Sequence, residues 1–115
     1  MTGSEQDLVN AIIEYLQYMG AVAIRINSGQ IQAYSSEGKA RIIRLAPAGT
    51  SDILACRGGR FLAIEAKIYP NQPTEKQRAF LDSVRAAGGL AMVAWSIEDV
   101  IERLADEVDA RWENE

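Results

Sequence analysis

The stretch "FLAIEAKI" (residues 61–68) sets an acid, Glu65, and a base, Lys67, two positions apart in an otherwise apolar run. Read as a strand, alternate residues share a face, so Glu65 and Lys67 lie with Phe61 and Ala63, opposite Leu62, Ile64 and Ala66. The apolar run before it, "DILAC", opens on Asp52, and "RGG" at residues 57–59 turns one run into the other. That hairpin brings Asp52 beside Glu65 or Lys67. A cross-strand salt bridge between Asp52 and Lys67, with Glu65 in solvent, would satisfy the same pattern. The chain has no histidine and a lone cysteine, Cys56, which excludes His-based triads, zinc held by Cys/His sets and an internal disulfide. Any catalysis here must therefore run on carboxylates and lysine, with a hard metal as an open addition. Oxygen ligands such as Asp52 and Glu65 select Mg²⁺ or Mn²⁺, and the chemistry such a site performs is phosphodiester hydrolysis. Lys67 would orient or deprotonate the attacking water, or stabilise the charge on the transition-state phosphorane.

Two helices are expected to add polar groups to that region. Ser4 caps a helix running to about Met19, closed by Gly20, with Leu8, Val9, Ile12, Ile13 and Leu16 at helical spacing. At about 100° per residue, Glu5 falls in the middle of that apolar face and Glu14 opposite it, in solvent. Glu5 either frays into water at the first turn or points toward something positive. A second helix, capped by Thr74 and ending near Ala87 before "GG", carries Gln77 on the face of Phe80 or Leu81 and Val84. Thr74 and Gln77 also form a capping-box pair, so the glutamine has a local explanation as well.

The remaining pattern gives a strand over residues 22–27 and a hairpin from the runs "IQAYS" and "ARIIRLA" around "SEGK", spanning about Gln30 to Ala46. A short buried strand, "LAMVAW", follows the "GG", and Ser96 caps a last helix through Val100, Ile101, Leu104 and Val108. The order α-β-hairpin-β-β-α-β-α predicts one α/β domain over residues 1–115, a small mixed β-sheet flanked by helices. No apolar run approaches the roughly 20 residues that span a bilayer, so a soluble, cytoplasmic protein is expected. The net charge of −4 divides unevenly: residues 98–115 carry −6 and the other 97 carry +2. Part of that excess sits in "KARIIR" and "RGGR", so a local basic surface is compatible with an acidic last helix.

With these residues in place, "GTSD … IEAK" resembles the Asp…Glu-x-Lys core of the PD-(D/E)XK nuclease superfamily, which has a restriction-endonuclease-like fold. Nearly the whole chain is similar to one branch, the virus-type replication-repair nuclease (VRR-NUC) domain. "SEQDLVNAIIEYL" resembles that family's opening helix, "RINSG" its Arg-x-Asn-Ser-Gly segment, "AGTSDIL" its Gly-x-Pro-Asp turn, "FLAIEAK" its Glu-x-Lys strand, and "PTEKQRAFLDSVRAAGG" its Pro-x-x-Gln helix. Ser51 stands where the family usually has proline, and Thr74 rather than proline precedes the Glu-Lys-Gln run, with Pro73 adjacent. The resemblance implies that Glu5 supports the metal site, that Asp52, Glu65 and the backbone carbonyl of Ala66 bind Mg²⁺ or Mn²⁺, that Lys67 is catalytic, and that Gln77 positions the lysine or a metal water. It implies a metal-dependent, structure-selective DNA endonuclease acting on branched DNA such as Holliday junctions. It also implies a homodimer, in a bacterial or phage-infected cell, like the family's compact stand-alone members. The hairpin or the last helix would make the dimer contact. Arg25, Asn27, Ser28, Lys39, Arg41 and Arg44 are then the candidate DNA contacts. The alternatives are a non-catalytic DNA-binding module of the same fold, a nuclease acting on flaps or linear duplex, and a restriction-type enzyme. For the last, no recognition insert is evident.

Overall fold

The computed structural model describes residues 4–113, with side chains described as far as residue 106 and not at residue 31. Chain order is α1 (Glu5–Tyr18), β1 (Val22–Arg25), β2 (Gln30–Tyr34), β3 (Ala40–Arg44), β4 (Ile53–Arg57), β5 (Arg60–Ala66), α2 (Glu75–Ala86), β6 (Leu90–Ala94) and α3 (Ile97–Glu113). Four strands form the main sheet in the order β1-β4-β5-β6. The first two pairings are antiparallel and β5-β6 is parallel. The expected small mixed sheet with helices is what forms.

Each element begins where its local chemistry dictates. Ser4 caps α1 through a full capping box with Asp7, satisfying donors that the first turn leaves orphaned. Gly58 and Gly59 both take positive φ, as a two-residue hairpin between right-twisted strands requires, and this pins β4 against β5 in the Ile53–Ile64 register. Parallel pairing of β5 with β6 needs a crossover, which α2 supplies. Ser96 and Asp99 cap α3 reciprocally: the Asp99 amide donates to Ser96 Oγ and the Ser96 amide to the Asp99 carboxylate.

The sheet is covered on both faces. On one, Val9, Ile12 and Leu16 of α1 and Val100 and Leu104 of α3 bury against Ile53, Leu62, Ile64, Ala66 and Met92. On the other, Leu81 and Val84 of α2 pack on Ala63 and Ala91, with Leu54, Phe80 and Val93 partly buried around them. Ile12, Leu16, Ile53, Ile64, Leu81, Leu90 and Val100 are fully buried, each contributing roughly 1.5–3 kcal/mol of burial free energy. Of the apolar residues named along the last helix, Val100 and Leu104 share the inward face and are buried, whereas Ile101 is 40 % exposed. Val108, assigned to the same face, lies outside the residues whose side chains are described.

The first strand is shorter than the sequence suggests, ending at Arg25 rather than Asn27. Beyond it, the Asn27 carbonyl accepts from the Ala46 amide, and Gly29 exchanges bonds with Ala46 and Leu45. Residues 27–29 are thereby captured as the root of the β2-β3 hairpin. That hairpin stands apart as a separate two-stranded ribbon, and it contacts no other helix or strand among the described residues.

Candidate metal centre

Asp52 precedes β4 by one residue, so the Ile53–Ile64 register carries it to the position opposite Glu65. The chain is held there from both sides: the Ile26 amide donates to the Asp52 carbonyl at 2.8 Å, and the Ala66 amide donates to Asp52 Oδ2 at 3.1 Å. Upstream, Gly49 sits against the first turn of α2, where a Cβ would lie 2.7 Å from the Lys76 carbonyl oxygen. With φ at +93°, only glycine fits both the space and the backbone. Ser51 is fully buried, and its hydroxyl has no hydrogen-bond partner.

Glu65 is the most unusual residue of the chain. It is 1 % exposed, on the face that α2 covers, and is therefore not the solvent-facing acid of a simple cross-strand salt bridge. Its Oε1 accepts from Gln77 Nε2 at 3.0 Å and lies 3.9 Å from Lys67 Nζ. Its Oε2 is buried without a partner. The carboxylates of Glu5, Asp52 and Glu65 each place an oxygen within 4.8 Å of the others. Burial is the main reason that the Glu65 carboxyl is pushed up to about 8; the Asp52 charge and a hydrogen bond to Asp52 add to the rise, and Lys67 opposes it.

The five residues singled out in the sequence, Glu5, Asp52, Glu65, Lys67 and Gln77, thus converge on one end of the sheet. Glu5 comes from the helix layer on one face and Gln77 from the layer on the other. Lys67 pairs with Glu65 of its own strand. Gln77 is the expected cap, and its second contact is with Glu65 rather than with Lys67: Oε1 accepts from the Thr74 amide while Nε2 donates to Glu65. Gln77→Ala is expected to lower stability by about 1 kcal/mol in urea unfolding. Gln77→Glu keeps an acceptor for the cap but loses the donor to Glu65, so it too is expected to lose stability. A Gln77→Glu protein as stable as wild type would make the residue a cap and nothing more.

The donor set fits a hard divalent cation. Three carboxylates share one small volume, and an orphaned, buried carboxylate oxygen is a group that hydrogen bonding within the protein has left unsatisfied. The proposed DNA contacts are distributed differently. Arg25, Asn27, Ser28, Lys39, Arg41 and Arg44 are all exposed; Arg25 lies opposite Ile53, one residue from Asp52, Asn27 and Ser28 form the ribbon root, and the other three lie in or beside β3. Sequence reasoning missed the backbone bonds that lock Asp52 in place, which carry no side-chain signature, and the separation of the ribbon from the sheet. No model of a known protein family matches the chain, and no curated protein is significantly similar to it. No helix among the described residues is long and apolar enough to cross a membrane.

Proposed function

We propose that this chain is a Mg²⁺- or Mn²⁺-dependent endonuclease that hydrolyses phosphodiester bonds in DNA, with branched DNA such as four-way junctions as its substrate class. The observation that carries the reading is the buried Glu65 carboxylate with an unpartnered oxygen, set against Asp52 and Glu5. A buried acid of this kind is costly to keep for structure alone, since an apolar residue of similar volume fits without the desolvation cost. The resemblance of five ordered segments to the VRR-NUC domain supports the same reading and supplies the substrate class.

In this reading Asp52 and Glu65 hold the cation, with the Ala66 carbonyl as the third protein ligand and Glu5 supporting them. The cation would polarise the phosphoryl group and lower the pKa of a bound water. The protein's own groups do the rest. Gln77 fixes the Glu65 carboxylate through Oε1, while Oε2 has no hydrogen-bond partner and is the oxygen free to take the cation. The Ala66 amide orients Asp52. Lys67, with its side chain 12 % exposed, sets a positive charge at the mouth of the acidic cluster, where a phosphate would arrive. A homodimer would present two such sites, one for each strand of a symmetric junction.

The test is cleavage of a four-way junction, a flap, a linear duplex and a single strand side by side, each with Mg²⁺, Mn²⁺ or chelator. The expected result is metal-dependent strand scission with the junction cut fastest. Binding without scission in both metals would replace the enzyme with a non-catalytic DNA-binding module.

A further inference from the structure

The β2-β3 ribbon is unexplained by the acidic site. It is a two-stranded antiparallel sheet of five residues a side that contacts no other helix or strand among the described residues, and such a ribbon is marginal on its own in water. It leaves large apolar side chains in solvent: Tyr34 is 68 % and Ile42 62 % exposed. Residues 28–46 carry Lys39, Arg41 and Arg44 against the single acid Glu37, on a chain whose net charge is −4. The ribbon therefore suits a polyanionic occupant. Its root also lies beside the acidic centre, because Ala46 pairs with residues 27–29 and the adjoining Ile26 amide donates to the Asp52 carbonyl.

The register sorts its side chains into two faces. Gln30 stands opposite Arg44, Gln32 opposite Ile42, and Tyr34 opposite Ala40, so these six share one face. Ala33 and Arg41, paired with each other, lie on the other, and Lys39 sits in the turn just before β3. The first face holds the side chains suited to reading base edges. Glutamine pairs in bidentate fashion with adenine, arginine with guanine, and an apolar group such as Ile42 packs on the thymine methyl. A two-stranded ribbon also matches the width of the B-DNA major groove, whereas the deep, narrow groove of A-form RNA excludes it.

We propose that the β2-β3 ribbon enters the major groove of duplex DNA and reads its sequence through Gln30, Gln32 and Arg44, with Lys39 and Arg41 on the flanking phosphates. This rests on the reading of the chain as a DNA enzyme, and it adds a sequence preference in the duplex arms next to the cleaved bond. The ribbon is then the recognition element that the linear sequence did not reveal.

The experiment uses the full-length chain carrying Asp52→Asn, so that binding is measured without scission. A pool of duplexes with randomised sequence is bound, and the bound fraction is sequenced. The expected result is enrichment of a short motif by about tenfold or more over the input. In the Gln30→Ala, Gln32→Ala protein that enrichment collapses. Lys39→Ala with Arg41→Ala instead weakens binding to all sequences alike and makes the log–log salt dependence shallower by about 2. Melting curves and molecular mass are measured for each protein. No enrichment, or the same motif selected by the double glutamine variant, overturns the proposal. A fall in molecular mass in the ribbon variants, with no motif lost, makes the ribbon an interface between copies of this chain instead. Enrichment without scission by wild type sinks the enzyme and keeps the ribbon's reading; scission without enrichment does the reverse.

Discussion

Lys67→Ala is expected to slow junction cleavage by about 10²–10³-fold, the usual loss when a preorganised positive group at a developing charge is removed. The position is unusual for a lysine. Its strand leads out of the core, with Glu65 1 % and Lys67 12 % exposed, so the ammonium sits where protein ends and solvent begins. In the proposed reading that ammonium would meet an incoming phosphate beside the carboxylate cluster. Lys67 also holds the Glu65 carboxyl down against burial, so its removal favours protonated Glu65 and weakens metal binding. The two effects separate experimentally: raising Mn²⁺ restores the affinity part and leaves the rate part. Asp52→Asn is expected to abolish scission, while its remaining carboxamide oxygen still accepts from the Ala66 amide and keeps the turn folded. Cleavage by Lys67→Ala within tenfold of wild type at saturating Mn²⁺ would remove the lysine from the chemistry.

The second large effect is on stability. Glu65 has a pKa near 4.5 when unstrained and about 8 in the fold. Between those values the folded protein keeps a proton that the unfolded chain has released, so the unfolded state binds fewer protons and stability falls as pH rises. The contribution is complete below about pH 4.5 and is lost as pH passes through 8, with a slope of at most about 1.4 kcal/mol per pH unit. In chelator, the melting temperature is therefore expected to drop steadily from pH 5 to pH 8. Glu65→Gln carries no titrating proton, so this part of the dependence flattens and the variant melts above wild type at pH 8. Adding Mn²⁺ at pH 8 reverses the order: wild type gains stability and Glu65→Gln does not. Proton release on metal binding, seen by calorimetry in two buffers of different ionisation enthalpy, is the companion measurement. A melting temperature flat from pH 5 to pH 8, or an equal gain from Mn²⁺ in both proteins, would separate Glu65 from cation binding.

Much of this arrangement was legible from periodicity. The two-residue alternation of "FLAIEAK" put Glu65 and Lys67 on one face, and the glycine turn at residues 58–59 fixed which strand lay beside them. Helical spacing placed Glu5 on the inward face of α1, because Val9, Ile12 and Leu16 have no other place to go. The burial of Glu65 was not legible. Whether a charged strand position is covered depends on α2 crossing over it, a tertiary event that alternation does not encode. The ribbon escaped for a related reason. "QIQAY" and "ARIIR" alternate like any half-buried hairpin, and only the hydrogen bonds of residues 27–29 to Leu45 and Ala46 reveal that they join no larger sheet.

The acidic centre draws on every layer of the fold: Glu5 from the first turn of α1, Asp52 from the residue before β4, Glu65 from β5, and Gln77 from α2. The strand that carries Glu65 and Lys67 is itself flanked by β6, which is made later than all of them. A fragment that ends before β6 carries all four groups but lacks the parallel neighbour of the strand that holds Glu65. If the chain is the nuclease proposed above, a fragment ending before β6 is therefore expected to show no scission.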